Sequence, residues 1–122
     1  MALMSDSPNA PTQIKFTSLF KRRLKGLAKK YRQIQVDIQP VLDQLLLGLI
    51  GDQIIGTTYT VYKVRARNSD AQSGKSGGYR LIYQIESSTC IILHLIYSKS
   101  EQTTITSDEI QAIIEAYQRE RE

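Results

Sequence analysis

Residues 57–97 contain three extended segments that decide the fold: TTYTVYKVRAR at 57–67, YRLIYQIE at 79–86 and CIILHLIY at 90–97. The first two alternate between apolar and polar residues with a period of two, which is typical of strands with one buried face. The third is almost wholly apolar and predicts a central strand buried on both faces. A Gly- and Ser-rich loop separates the first two and a short turn precedes the third, so we predict a mostly antiparallel sheet.

Helical periodicity lies on both sides of these strands. The first apolar stripe comprises Phe20, Leu24, Leu27 and Tyr31, and a second runs from residue 38 to residue 49. Asp37 is the candidate N-cap of the second helix, which places Pro40 in the first turn, where its missing N–H does no harm. Thr106 begins a third helix with Glu109 three residues later, the pattern of a capping box.

With a short strand at residues 13–18, the predicted order is β-α-α-β-β-β-α, an α+β fold with helices packed on the sheet. The 122 residues are enough for one domain, and we predict a flexible tail at 1–12 and a single domain at 13–122. No apolar run approaches the ~20 residues that span a bilayer, and no signal peptide is visible, so we expect a cytoplasmic protein without membrane contact. Cys90 and His94 are the only residues of their types, so we predict no metal site, and a packed rather than catalytic histidine.

The formal net charge of +4 conceals segregated charge. Residues 11–35 hold eight bases and no acid, residues 57–99 hold six bases and two acids, and residues 100–122 hold six acids and two bases. The first helix therefore carries a basic outer face. Segregation of this kind shapes local fields more than the net charge does and favours an anionic partner.

One face of the predicted sheet collects cations. Alternation places Lys63, Arg65 and Arg67 on one side of the first long strand, and Arg80 joins that side if the hairpin pairs as predicted. Like charges on neighbouring strands are destabilising unless an anion neutralises them, and a phosphodiester is the natural candidate. The tyrosines 59, 79 and 97 are candidate stacking surfaces for unpaired bases. The GKS at 74–76 is not a P-loop, because Ser69 stands where the motif requires glycine and a strand follows.

The runs YKVRARNSDAQSGKSGGYRLIYQI at 62–85 and LHLIYSKSEQTTITSDEI at 93–110, with LFKRRLKGLAKKY at 19–31, resemble the bacterial RelE/ParE toxin superfamily. The likeness is greatest to its RelE and HigB branch and covers about residues 13–117. It implies a small RelE-like microdomain and a ribosome-dependent endoribonuclease, an mRNA interferase that inhibits translation and is neutralised by a cognate antitoxin. The family also includes ParE-like members, which inhibit DNA gyrase without cutting nucleic acid. That alternative stays open here, as does an inactive relative that only binds its antitoxin.

Carried over by position, the family's cations and nearby acid fall on Lys63, Arg65, Arg80, Lys99 and Glu101. Three positions depart from the family: Ser100 stands where RelE has an arginine, and Tyr97 and Ser98 stand where some HigB relatives have histidines. The implied reaction needs no cofactor, because the 2′-hydroxyl of RNA attacks the adjacent phosphorus. We expect Arg65 and Arg80 to stabilise the charge that develops on the phosphoryl oxygens.

Proton transfer needs a base and an acid. The candidates are Lys63 or Glu101 as base and Lys99 or Tyr97 as acid or phosphate-orienting group. Further predicted RNA contacts are Lys25, Lys29 and Lys30 on the first helix, with Arg67 and Lys75 near the loop. The expected partners are therefore the ribosome, its mRNA and rRNA, and an antitoxin protein.

Overall fold

The computed structural model describes residues 13–48, 50–70, 78–101 and 104–121. Its elements are β1 (Gln13–Phe16), α1 (Ser18–Lys30), α2 (Ile34–Leu46), β2 (Asp52–Ile54), β3 (Val61–Ala66), β4 (Tyr79–Ser87), β5 (Cys90–Ser98) and α3 (Ser107–Arg121). These elements confirm the predicted α+β class, with three helices and a mostly antiparallel open sheet. The predicted tail at 1–12 lies outside the described residues.

The sheet has five strands in the order β1-β5-β4-β3-β2. Strands β2 to β5 pair antiparallel with their neighbours, whereas β1 runs parallel to β5. Every residue of β5 is buried, which confirms the predicted strand with two covered faces. Strand β2 was not predicted, because its three residues are too few to show an alternation. A Cβ at the preceding Gly51 would lie 2.2 Å from the carbonyl oxygen of Lys63, so glycine permits the approach of β2 to β3.

The two faces of the sheet carry separate hydrophobic cores. One core lies beneath α1 and α2 and is built around Phe20, Ile34, Leu45, Leu81 and Leu93. The other lies beneath α3 and is built around Val61, Ile82, Leu95, Ile110 and Ile114. Odd-numbered residues of β3 and even-numbered residues at the start of β4 therefore belong to the face that α3 covers in part.

The start of α2 differs from the prediction. The helix begins at Ile34, so Asp37 is not its N-cap and Pro40 lies inside it. The carboxylate of Asp37 instead accepts hydrogen bonds from the backbone N–H and the hydroxyl of Ser69, at 2.8 and 2.9 Å. The N–H of Gln33 donates to Asp70 at 2.7 Å. These two contacts join α2 to the segment after β3 and favour a helix that starts before the proline.

The other two helices begin at side-chain caps. Thr17 Oγ1 accepts the N–H of Phe20 at 3.1 Å at the start of α1. Thr106 and Glu109 form the predicted capping box, with the N–H of Thr106 donating to the Glu109 carboxylate at 2.8 Å and the N–H of Glu109 donating to Thr106 Oγ1 at 3.1 Å. The backbone N–H of Thr106 also lowers the pKa of Glu109. The capping-box prediction is confirmed.

Candidate functional site

Three of the predicted site residues lie in one line across the sheet. Arg65 of β3 is directly opposite Arg80 of β4, and Arg80 is directly opposite Tyr97 of β5. Neighbouring strands are ~4.8 Å apart, so this line, here called the cross-strand row, extends over about 10 Å. Tyr97 belongs to the core beneath Ile110 and Ile114. The cross-strand row therefore lies on the face that α3 covers, which matches the side predicted from alternation.

The two arginines of the cross-strand row make no salt bridge with any residue that the structure describes. Arg65 is exposed and Arg80 is half-buried. Like charges directly opposite each other on antiparallel strands are destabilising. The register therefore places two arginines opposite each other on one face, and guanidinium groups can bind an anion such as a phosphate bidentately.

Lys63 lies two residues before Arg65 on the same face. It is half-buried and lies opposite Ile82 on one side and Asp52 on the other. The position of Asp52 was not predicted, because β2 is too short to recognise from the sequence. Lys63 and Asp52 are absent from the salt bridges within the described ranges. Asp52 is nevertheless the charged residue directly opposite Lys63, so the cationic face is less positive near β2 than predicted.

The chain after β5 returns to the start of β4. The N–H of Lys99 donates to the carbonyl of Gly78 at 3.0 Å. Gly78 has a φ of +99°, and a Cβ there would lie 2.9 Å from the carbonyl oxygen of Ala66 and 3.5 Å from Arg80 Nη1. Arg80 Nη1 donates to the carbonyl of Tyr79 at 3.4 Å. The left-handed backbone and the nearby Ala66 carbonyl therefore favour glycine at this position, and the Arg80 guanidinium lies close to the turn that also holds Lys99.

Tyr97 completes the cross-strand row as a largely buried tyrosine. Its side chain is only 5% exposed. Burial raises the pKa of Tyr97, and the positive charge of Arg80 opposes that shift. The hydroxyl therefore keeps its proton at neutral pH and is suited to donate a hydrogen bond or a proton.

The predicted stacking role is wrong for two of the three tyrosines. Tyr79 is fully buried beneath the helices, with its ring edge-on to Tyr31 at 5.8 Å between centroids, and Tyr97 lies under α3. Burial also raises the pKa of Tyr79 well above its usual value. Tyr59 is half-buried and packs against the α3 core. A period-two pattern assigns residues to faces but does not show that helices cover both faces.

Glu101 lies against α1 rather than beside the arginines. Its Oε2 accepts hydrogen bonds from Lys30 Nζ at 2.9 Å and from the Tyr31 hydroxyl at 3.1 Å. The hydrogen bond from Lys30 lowers the pKa of Glu101, and the same contact raises the pKa of Lys30. A carboxylate with a lowered pKa is a weaker base, so this pairing favours Lys63 over Glu101 as the general base.

The remaining predicted RNA contacts lie at the surface. Lys25, Lys29 and Lys30 are exposed on α1, and Arg67 is exposed directly after β3. Lys75 lies outside the described residues. The basic outer face of α1 is thus present as predicted, and Lys30 is its one member paired with Glu101.

His94 is the packed residue that the sequence predicted. It is 1% exposed, and its Nε2 lies 2.8 Å from Gln84 Oε1. Burial lowers its pKa to about 4, and its ring packs edge-on against Tyr117 at 5.2 Å. The register shift between Ile82 and Tyr83 leaves His94 as an extra residue on β5. No pattern in the sequence marked this bulge.

Comparisons with known proteins complete the description of the site. No protein-family model matches the chain, and no curated protein matches it significantly. Within the described part of the chain, no cluster of three or more His, Cys, Asp or Glu side chains could hold a metal ion. None of the described helices is long and apolar enough to cross a membrane.

Proposed function

We propose that this protein is the toxin of a type II toxin–antitoxin system, a metal-independent endoribonuclease that cuts mRNA on the ribosome. The observation that carries the proposal is the direct pairing of Arg65 with Arg80 across β3 and β4. Two arginines that make no salt bridge within the described ranges, one of them opposite a largely buried tyrosine, can bind a phosphate that gains charge. The protein would act in the cytoplasm and be held inactive by a cognate antitoxin.

The arrangement of elements supports a RelE-like fold as part of this proposal. A helical pair precedes the antiparallel strands and a helix follows them, with β2 as an additional edge strand. The resemblance to the RelE and HigB branch implies the same order. Of the residues that the resemblance assigns to RNA cleavage, Lys63, Arg65 and Arg80 lie on the face that carries the cross-strand row.

The proposed reaction is an in-line displacement at phosphorus. A bond forms between the RNA 2′-oxygen and the adjacent phosphorus, and the bond from phosphorus to the 5′-oxygen breaks. The products are a 2′,3′-cyclic phosphate and a 5′-hydroxyl. Arg65 and Arg80 neutralise the charge that develops on the phosphoryl oxygens, where preorganised cations act without reorganisation cost.

Lys63 and Tyr97 are the proposed proton carriers. Lys63 lies two residues from Arg65 on the same face and takes the proton of the 2′-hydroxyl as the general base. Tyr97 retains its proton through burial and lies opposite Arg80, so it donates to the leaving 5′-oxygen. Lys99, held beside Gly78 at the start of β4, orients the phosphate.

The exposed face of α1 supplies the proposed contact with the ribosome. Lys25, Lys29 and Lys30 project from one helix and meet the phosphate backbone of rRNA, with Arg67 as a further contact beside the sheet. Such contacts release counterions, so ribosome binding should weaken steeply as salt concentration rises.

The test is cleavage of mRNA on programmed ribosomes by wild type and by Arg80→Ala. We expect Arg80→Ala to lose about 10²–10³-fold in rate while its circular dichroism and unfolding midpoint stay native-like. Arg119→Ala, which removes an exposed arginine from the last turn of α3, is the matched control and should cut normally. Cleavage by Arg80→Ala at the wild-type rate would refute the site. Growth arrest with intact mRNA and inhibited gyrase supercoiling would instead support the ParE-like alternative.

A further inference from the structure

A cleft of about 370 Å³ opens between α1 and the end of β5. Its α1 wall includes Arg22, Arg23, Gly26 and Lys30, and its opposite wall includes Tyr97 of β5 and Glu101, which follows β5. The α1 wall therefore combines three cations with one residue that has no side chain. The proposed catalytic site gives no role to Arg22, Arg23 or Gly26.

Gly26 is in the middle of α1, where glycine lowers helix stability relative to alanine. Its φ is not among the positive values recorded for glycines in the described ranges. A Cβ built on Gly26 would meet no heavy atom within 4 Å. Neither backbone conformation nor packing within the described structure therefore requires glycine here. A remaining physical reason for glycine is close approach of a ligand to the helix backbone.

The charge on the cleft selects an anion. Arg22 and Arg23 are exposed and make no salt bridge within the described ranges. Lys30 already binds an oxyanion there, because Glu101 Oε2 lies 2.9 Å from its Nζ. Phosphate oxygens are acceptors of the same kind and are matched bidentately by arginine.

The cleft adjoins the cross-strand row through Tyr97, which lines the cleft and lies opposite Arg80. We infer that the cleft binds the sugar–phosphate backbone of single-stranded RNA next to the cut site. Arg22 and Arg23 hold a phosphate, and Gly26 lets the backbone lie against α1. The assignment of the cleft to the same strand that is cut rests on the proposed nuclease function.

The experiment measures binding of a short, fluorescein-labelled RNA that is 2′-O-methylated throughout, so that no 2′-hydroxyl can attack. Fluorescence anisotropy compares wild type with Arg23→Gln and with Lys21→Gln. Lys21 is an exposed cation of the same helix that does not line the cleft. Loss of one phosphate contact weakens affinity about fourfold at 0.15 M salt and lowers the slope of log affinity against log salt by about 0.7. We expect this change for Arg23→Gln and no change for Lys21→Gln.

Gly26→Ala provides a second, steric test, in which the fold should become more stable while RNA binding becomes weaker. We expect a higher thermal midpoint, because alanine favours the helix and meets open space. We also expect weaker RNA binding with an unchanged salt slope, since no charge is lost. A merely structural glycine cannot produce a more stable protein with poorer binding.

The outcomes separate this inference from the nuclease proposal. Affinities of Arg23→Gln and Gly26→Ala equal to that of wild type, or no binding by wild type, would overturn the cleft even if wild type cuts ribosome-bound mRNA. Cleft-dependent binding by a wild-type protein that leaves ribosome-bound mRNA intact would uphold the RNA site and overturn the nuclease. A lower thermal midpoint for Gly26→Ala would show that the space is not free and would also overturn the inference.

Discussion

Replacing Arg80 with glutamine is expected to stabilise the fold while it removes the proposed activity. Arg80 lies directly opposite Arg65, and cross-strand pairs contribute roughly 0.2–1 kcal/mol, with like charges on the unfavourable side. Both side chains retain some contact with solvent, so we expect a gain of about 0.5 kcal/mol, near the middle of that range. For a domain of this size the gain raises the thermal midpoint by about 2 °C.

A double-mutant cycle isolates the repulsion from other effects. Arg65→Gln should give a similar gain, and the double variant should gain no more than either single variant, because one substitution already removes the pair. In 1 M salt, where the Debye length is about 3 Å, the gain should disappear. The same variants should cut mRNA about 10²–10³-fold more slowly.

The assays are urea unfolding at low and high salt and cleavage on programmed ribosomes. Additive effects of the two substitutions on unfolding, or a loss of stability that salt does not alter, would refute the reading of the row as two repelling charges. Full cleavage by Arg80→Gln would refute its role in the reaction. Stability gained together with activity lost is the pattern expected of a functional site.

Three further predictions test other parts of the structure. Thr17→Ala should lower the free energy of unfolding in urea by about 1 kcal/mol, because it removes the cap on the N–H of Phe20, whereas Thr17→Ser should keep most of that stability. Equal stability of the wild type and both variants would contradict the cap. His94 should stay neutral at pH 5 by NMR, since its pKa is about 4. Because the unfolded chain binds a proton on this histidine at higher pH than the folded protein does, the free energy of unfolding should fall as pH drops from about 6.5 towards 4. His94→Gln should flatten this dependence of stability on pH. Glu101→Gln should tighten binding of the methylated RNA, because it removes a carboxylate from the cleft and frees Lys30; a variant that binds but no longer cuts would instead identify Glu101 as the general base.

Local patterns were sufficient for much of the fold. Alternation in β3 and β4 predicted that Arg65 and Arg80 share a face, and the capping box at Thr106 was visible because its partners are three residues apart. The start of α2 was not predictable in this way. It depends on contacts of Asp37 and Gln33 with a segment more than 30 residues later, which compete with the local signal from Pro40.

The candidate site was predictable only where it depends on strand periodicity. Alternation predicted the shared face, but the side chains that modify it come from elsewhere in the chain. Asp52 reaches Lys63 through a strand too short to recognise. Glu101 accepts hydrogen bonds from Lys30 and Tyr31, which lie 71 and 70 positions earlier in the chain. Burial of Tyr97 depends on Ile110 and Ile114 of α3, which share its core but give no signal in the pattern of β5.

The parallel pairing of β1 with β5 has a consequence for synthesis of the chain. Thr17 donates its backbone N–H to Leu93 and its hydroxyl to the carbonyl of His94, 77 residues later. Contacts of such high sequence separation close late, because loop entropy must be overcome first. A nascent chain therefore leaves the ribosome with its edge strand unpaired, and the row ending in Tyr97 is assembled only when β5 has emerged. Prematurely terminated chains would carry the basic helix without the completed row.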